Sequence, residues 1–441
     1  AANRQVLCVT HSAQIAALGN HHFLIKKEVR EGRTFTGVYP LDFEGRKREL
    51  ARMISGVMVT DLTLKSAEEM LSKDKLADVL IVATQDKQHI AHALAGLERG
   101  YDLILEKPVA TTPEDCIAIR DAAKRLNRKV AVCYVLRYTT FYRTIKNIID
   151  SGRIGEVVNV DAVENVGYWH QAHSFVRGNW SNCGRSSPMI LQKSCHDMDI
   201  LNFLIGSHCE CLSSFGSLSF FNSEHRPKDA AEFCVDCPRK ESCVYSAERI
   251  YLGEDTQEKR PWVRTVVAPA GGLAEVKKAL RRGPYGRCVF VCDNDVVDHQ
   301  TVALRYENGV TVSFTMSAFS AEVYRSIRIM GTQGEIEGEQ KTNLIRCTTF
   351  DGKTEVYDIN KLASDLSGHG GGDNQLLTDF FDENSEGHID AVSGIYSAIE
   401  SHMMAFAAEY SRLHDGESIN LKQFEKSVGF SDNPCKEEKY E

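Results

Sequence analysis

Glu106-Lys107-Pro108 is the tripeptide of this chain best suited to chemistry. It closes the apolar run Tyr101-Asp102-Leu103-Ile104-Leu105, and the proline fixes the direction of the next loop. A lysine at the carboxyl end of a buried strand stands where open α/β sheets bind their ligands. Beside a substrate it can move a proton. A lysine at a strand end is also an ordinary surface residue, so a second cluster matters. In Gln192-Lys193-Ser194-Cys195-His196-Asp197-Met198-Asp199, His196 and Asp199 lie three apart and share a helix face. A carboxylate one turn from an imidazole can orient it and raise its basicity. Lys193 adds a cation that suits a substrate with hydroxyls or a carboxylate, although a lysine near a helix start is common on surfaces. A third stretch runs from Tyr168-Trp169-His170 through His173, Phe175 and Arg177 to Asn179-Trp180, with two of the chain's three tryptophans. Aromatic faces and hydrogen-bonding groups interleaved in this way suit a sugar ring, whose C–H faces stack and whose hydroxyls need partners. Core packing explains a lone tryptophan, but not the histidines and arginine between the two.

The elements that must position these groups are set by the apolar pattern. Residues 4 to about 134 alternate apolar runs with helical ones, such as Ser66 to Asp74 and His89 to Arg99. Strand candidates are Arg4 to Thr10, Thr34 to Tyr39, Ala77 to Thr84 and Tyr101 to Leu105. The last two show little alternation, as expected of parallel strands buried on both faces. Pro113 followed by Glu114-Asp115 opens a helix. Further on, Val302 to Glu307, Asn308-Gly309 and Val310 to Met316 form a strand, turn and strand. The expected fold class is α/β: an N-terminal Rossmann-like doubly wound parallel sheet, then an α+β domain with a large open, mainly antiparallel sheet. The expected boundaries are 1–135 for the first domain, 136–430 for the second and 431–441 for a charged tail. The glycine-rich loop Gly368-His369-Gly370-Gly371-Gly372-Asp373 reads as a substrate-side loop or hinge.

Fourteen cysteines occur, and most stand singly in apolar segments. Cys234, Cys237 and Cys243 differ, spaced C-x2-C-x5-C in a polar stretch, with Cys288 and Cys292 further on. A C-x2-C hook is a two-ligand grip for zinc, and a structural site wants four ligands. Cys234, Cys237 and Cys243 with Cys288 or Cys292 would close one; a disulfide set and a reduced metal-free loop are the rivals. Residues about 222–285 read as an insertion in the second domain. The net charge of −9 argues against nucleic acid as a partner. No apolar run approaches the ~20 residues of a membrane span, and no basic start with a long apolar stretch marks a signal peptide. These readings place the chain in the cytoplasm.

Together the motifs resemble the Gfo/Idh/MocA family of nicotinamide-dependent oxidoreductases. The family's E-K-P is intact. Its T-P-N-x-x-H appears as Thr84-Gln85-Asp86-Lys87-Gln88-His89, its strand-end arginine lies in Tyr134-Val135-Leu136-Arg137-Tyr138, and its S-G-x-I-G lies in Ser151-Gly152-Arg153-Ile154-Gly155. Gly331-Thr332-Gln333-Gly334 matches its late G-T-x-G. Two features depart. No glycine-rich turn comes after Arg4 to Thr10, where His11-Ser12-Ala13-Gln14 stands instead, and Tyr39 occupies the end of the second strand candidate where relatives often place an acidic residue. The basic cluster Arg46, Lys47, Arg48 could favour a 2′-phosphate or form a solvated helix face. In the family's D-x-G-x-H-x-x-D, Gln192 replaces the first aspartate.

The resemblance implies NAD or NADP as cofactor, NAD being favoured, held by Thr84, Asp86, His89, Glu106, Lys107 and Arg137. It implies hydride transfer at a carbinol carbon of a sugar, polyol or glycoside. His196 would be the base, Lys107 its assistant at the hydroxyl oxygen and Asp199 its orienting group. Tyr168, Arg177, Lys193 and His196 would bind substrate. Within the family, a glycosidase that oxidises C3 transiently is an alternative, with Tyr168 as a base at C2. A non-catalytic sugar or dinucleotide sensor is another, favoured by the missing glycine loop and opposed by Lys107 and His196. A homodimer or homotetramer through the open sheet is also implied.

Overall fold

The computed structural model describes residues 6–10, 22–30, 33–42, 77–254, 256, 260–268, 272–381 and 393–428. Ser12 and Gln14, the cluster Arg46, Lys47 and Arg48, the helical run Ser66 to Asp74 and the tail from Ser431 lie outside the described residues. The early strands are β1 (Val6–Thr10), β2 (His22–Arg30), β3 (Arg33–Leu41), β4 (Val79–Ala83), β5 (Asp102–Leu105) and β6 (Val130–Val132). One parallel sheet has the order β1-β4-β5-β6. All five residues of β4 and all three of β6 are buried, as continuous apolar runs require in a sheet covered on both faces. Helix His89–Glu98 packs on β4 and β5, and helix Pro113–Arg125 packs against that helix. The second begins as the sequence predicts. Thr112 accepts from the Asp115 amide (3.2 Å), Pro113 takes the first turn, and Glu114 and Asp115 face the positive helix end.

One expectation is corrected. Thr34 to Tyr39 does form a strand, within β3, but β3 is not part of the parallel sheet. It pairs antiparallel with β2 over their whole lengths, and the two make a separate two-stranded sheet. The pattern of a strand announces its conformation, whereas its partner is a tertiary choice.

The second sheet has nine strands: β7 (Val157–Asn165), β8 (Cys209–Ser217), β9 (His299–Tyr306), β10 (Thr311–Ser317), β11 (Tyr324–Gly331), β12 (Gly334–Glu339), β13 (Leu344–Thr349), β14 (Thr354–Asp358) and β15 (Ile419–Asn420). Its order is β14-β13-β12-β11-β7-β10-β9-β8-β15, antiparallel everywhere except between β7 and β10. The β9–β10 hairpin turns at Asn308-Gly309, where Gly309 holds φ +86°. Alternate residues of β9 are buried and exposed, so the sheet packs one face on helices and leaves the other open. The long helix Ile395–Leu413 joins the layers. It lies against β6, the helix Pro113–Arg125, the helix Cys195–Ile205 and β8. Ile250, Tyr251, Val263, Val276 and Leu280 of the insertion form a second core with flanking residues such as Val176, Phe221 and Phe290.

His402 of the long helix fixes the loop after Lys107. Its Nε2 accepts from the Val109 amide at 2.7 Å, which leaves Nδ1 protonated, 2.8 Å from the Ala398 carbonyl and 2.8 Å from the Tyr134 hydroxyl. Burial lowers its pKa to about 4 from an ordinary 6.5. As pH falls below about 6.5 the unfolded chain takes up a proton that the folded chain refuses. Stability is therefore complete above about 6.5 and declines as pH falls towards about 4, by on the order of 3 kcal/mol for this group. Urea unfolding across that window should show the decline in wild type and a shallower one in His402→Gln. Equal slopes would remove His402 from the acid response.

Candidate functional site

The site lies where the carboxyl ends of β4 and β5 meet the segment Met189–Ile205. Lys107 comes after β5, and its Nζ donates to the Gln192 carbonyl at 2.9 Å. That bond brings the strand end against the turn that leads into the helix Cys195–Ile205, whose second residue is His196. The His196 ring lies edge-on to Tyr134, with centroids 5.7 Å apart, and 6.4 Å from the ring of His369. Its Nδ1 is buried without a hydrogen-bond partner. Burial, then the nearby charges of Lys107, Arg325, His369 and Lys193, hold its pKa well below the ordinary value. At neutral pH His196 is a neutral imidazole with a nitrogen to spare, which is the state a proton acceptor requires.

Asp199 does not orient His196. Its carboxylate accepts from Arg137 Nε and Nη2, each at 2.6 Å, and from the Ser401 hydroxyl at 3.4 Å. Helical spacing places the two side chains on one face, but a buried guanidinium claims the carboxylate. Arg137 thereby ties the end of β6 to the helix through Asp199.

The other dinucleotide-side residues divide in the same way. His89 spans two backbone carbonyls, Pro108 at 2.7 Å and Thr84 at 3.1 Å, so it clamps the two strand ends together. The Thr84 hydroxyl is 3.1 Å from His92 Nδ1. Asp86 accepts from the Ser186 hydroxyl at 2.8 Å, and Lys87 donates to the Gly184 carbonyl, joining the β4 end to the loop before Pro188. Glu106 has its pKa raised by burial, against the opposing pull of Lys107, His89 and His369.

Lys193 belongs to a four-charge cluster. It lies 3.2 Å from Glu164, Arg325 lies 2.8 Å from Glu164, and Arg325 donates twice to Asp197 at 2.8 and 3.1 Å. Burial lowers the Lys193 pKa and raises that of Glu164. Two cations and two carboxylates balance, so the wall beside His196 carries little net charge. Tyr168 is half-buried after β7, with its ring 6.1 Å from that of Tyr245. Arg177 is not at this site. It ends the buried π-helical turn Gln171–Arg177 and points into the insertion, bonding to the carbonyls of Arg287 and Tyr245, both at 2.7 Å.

Two residues outside the predicted set belong here. His170 has a buried Nδ1 without a partner, and burial followed by the charges of Lys193, His173 and Lys107 pushes its pKa well down. His369, on the glycine-rich loop, holds φ +42° and bonds to Asp373 at 2.9 Å while facing His196. The glycines around it are the sequence signal that could have found it.

Cys234, Cys237, Cys243 and Cys288 line one small cavity in the insertion, and Cys292 instead donates to the Cys288 carbonyl at 3.3 Å. All five are free thiols. Among the described residues, no group of three or more His, Cys, Asp or Glu side chains is arranged so that it could hold a metal ion as it stands.

Known proteins resemble this chain in sequence and in fold. A model of an oxidoreductase family's NAD-binding Rossmann fold matches residues 43–134, and one of an oxidoreductase family's C-terminal alpha/beta domain matches residues 146–412. YteT of Bacillus subtilis, named as an oxidoreductase, is 30% identical over 337 residues, 73% of this chain and 76% of its own length. A shorter likeness, 49% identical over 69 residues, covers 16% of this chain and 12% of the DNA repair protein RecN of Bacillus subtilis. Among solved structures, an inositol dehydrogenase homolog of Azotobacter vinelandii complexed with NADH and myo-inositol aligns with a TM-score of 0.53. It is 16% identical and covers 80% of each chain, which is a likeness of fold.

Removing the Asp199 carboxylate should be expensive. Asp199→Ala leaves the Arg137 guanidinium buried and unpaired, a loss on the order of 3–5 kcal/mol. Arg137→Met with Asp199→Leu should recover most of it. Urea unfolding of the three proteins measures this, and a single variant within about 1 kcal/mol of wild type, the range of an exposed pair, would show that the pair carries no such load.

Proposed function

The chain belongs to the Gfo/Idh/MocA family of oxidoreductases, and from that premise we propose that it transfers hydride between a nicotinamide dinucleotide and a carbinol carbon of a neutral sugar or polyol. The observation that carries this reading is the neutral, unpartnered imidazole of His196 beside Lys107 at the carboxyl ends of parallel strands. The residues at the ends of β4 and β5 fit the nicotinamide half of a dinucleotide, with Thr84, Glu106 and Lys107 as its contacts. When bound, the dinucleotide supplies or accepts the hydride. His196 takes the hydroxyl proton as the carbon is oxidised and returns it in the reverse direction. Lys107 donates a hydrogen bond to the hydroxyl oxygen. Tyr168 and Lys193 line the substrate side. Because Glu164 already compensates Lys193, hydroxyls suit this wall better than a carboxylate. The first domain, to about residue 135, carries the cofactor side, and 136–430 carries the substrate. The open face of the nine-stranded sheet is the surface for a homodimer or homotetramer, and the protein works in the cytoplasm. Among the described residues no helix is long and apolar enough to cross a membrane.

The redox-cycling glycosidase remains the near relative of this reading, and net NADH separates them, since it accumulates only in a dehydrogenase. One observation favours a sensor instead. β1 and the glycine-free residues after it lie ahead of the matched 43–134, and the neighbouring hairpin stands outside the parallel sheet.

Calorimetric titration with NAD and with NADP tests the cofactor site, and absence of binding for both at millimolar concentration would abandon hydride transfer. With binding established, His196→Ala should lose turnover ~10²–10⁴-fold on a polyol panel while dinucleotide affinity stays near wild type. Turnover within a few-fold of wild type would take His196 out of the mechanism.

A further inference from the structure

The insertion holds a second set of chemical groups that hydride transfer does not use. Phe233 and Arg287 form an antiparallel bridge, and the Cys288 amide donates to the Glu232 carbonyl at 2.8 Å. The bridge sets Cys288 beside Cys234. The turn after it is tight, with the Cys237 amide donating to the Cys234 carbonyl at 3.2 Å, so Cys237 returns towards the same point. A second turn, Cys243 amide to Arg239 carbonyl at 2.9 Å, brings in the third local cysteine. All four line one cavity, together with Arg239, Lys240, Tyr245 and Ser246.

An independent observation shows what charge this cavity expects. Arg177 is 4% exposed, and among the described residues no carboxylate pairs with it. Its Nη2 lies 3.6 Å from Cys234 Sγ, its Nη1 has no partner, and its electrostatic neighbours are Tyr251, Cys234, Cys292 and Cys288. A buried guanidinium without an anion is costly. Neutral thiols do not compensate it. Four thiolates around a divalent ion leave two negative charges, and an N–H donor to a ligating sulfur is the usual outer-shell partner.

We propose that Cys234, Cys237, Cys243 and Cys288 bind one zinc ion, with Arg177 donating to the Cys234 thiolate. Zinc accepts four thiolates in a tetrahedral set, and C-x2-C is its common hook. The four side chains draw in around the ion, at the expense of the cavity that separates them. The site is structural: all four positions are filled by protein, and it braces Tyr245, whose carbonyl holds Arg177 and whose ring faces Tyr168. The inference stands apart from the redox reading, because it concerns metal and folding rather than turnover.

Metal analysis of full-length protein, purified without a metal-affinity step, should give close to one zinc per chain. Cobalt exchanged into the site should show thiolate charge-transfer bands and tetrahedral ligand-field bands. Cys237→Ser and Cys243→Ser should lose the metal and melt at lower temperature, whereas Cys292→Ser should keep both metal and melting point. Iron in place of zinc, no metal with all five cysteines of the insertion reacting freely with a thiol reagent in the folded protein, or metal lost from Cys292→Ser alone would each overturn the assignment. Should the ligand variants fail to fold, the metal content and cobalt spectrum of wild type still decide it.

Discussion

The Arg137–Asp199 pair is the constraint on which the site depends. Its side chains are 5% and 1% exposed, and both bonds are 2.6 Å. A bidentate fork fixes orientation as well as distance, so the helix Cys195–Ile205 can neither slide nor rotate against the turn after β6. His196, three residues before Asp199, inherits that placement. The bond from Lys107 to the Gln192 carbonyl and the grip of His402 on the Val109 amide hold the other side of the gap. His196 is thus positioned by a pair that does not touch it.

That separation has an electrostatic consequence. A carboxylate bonded to His196 would raise its pKa. With Asp199 occupied by Arg137, burial and the cations around the ring act together to keep the imidazole neutral. The same cations would be intolerable in a closed site were they not balanced, and Glu164 and Asp197 balance Lys193 and Arg325 within about one contact distance.

Much of this is readable in the sequence, and the failures share a cause. The runs of β4 and β5 declare buried parallel strands, so Lys107 at a strand end is legible from pattern alone. Asn308-Gly309 declares its hairpin, and Thr112-Pro113 its helix start, because these signals are local. The role of Asp199 is misjudged from sequence because helical spacing tells which residues share a face but not which distant cation arrives there. Arg177 is misplaced because aromatic and polar residues interleave equally in a sugar site and in a buried turn against an insertion. The choice of Cys288 over Cys292 depends on the Phe233–Arg287 bridge, a tertiary contact without local signature. The glycines around His369 announce a loop, whereas its approach to His196 is a tertiary contact.

The dinucleotide sheet exposes a limit of a different kind. A parallel sheet edge offers a row of unpaired amides and carbonyls, and any extended apolar strand of fitting length can satisfy it. Val6–Thr10 does so along β4. The ladder is indifferent to the residues beyond the strand's end, whereas phosphate binding is not, since it needs backbone amides brought close by glycine at a helix start. Strand and cradle are therefore separable, and a chain can complete the sheet without completing the cofactor site. Here the family match begins at residue 43, after β1, while the residues around Lys107 and His196 lie in matched segments.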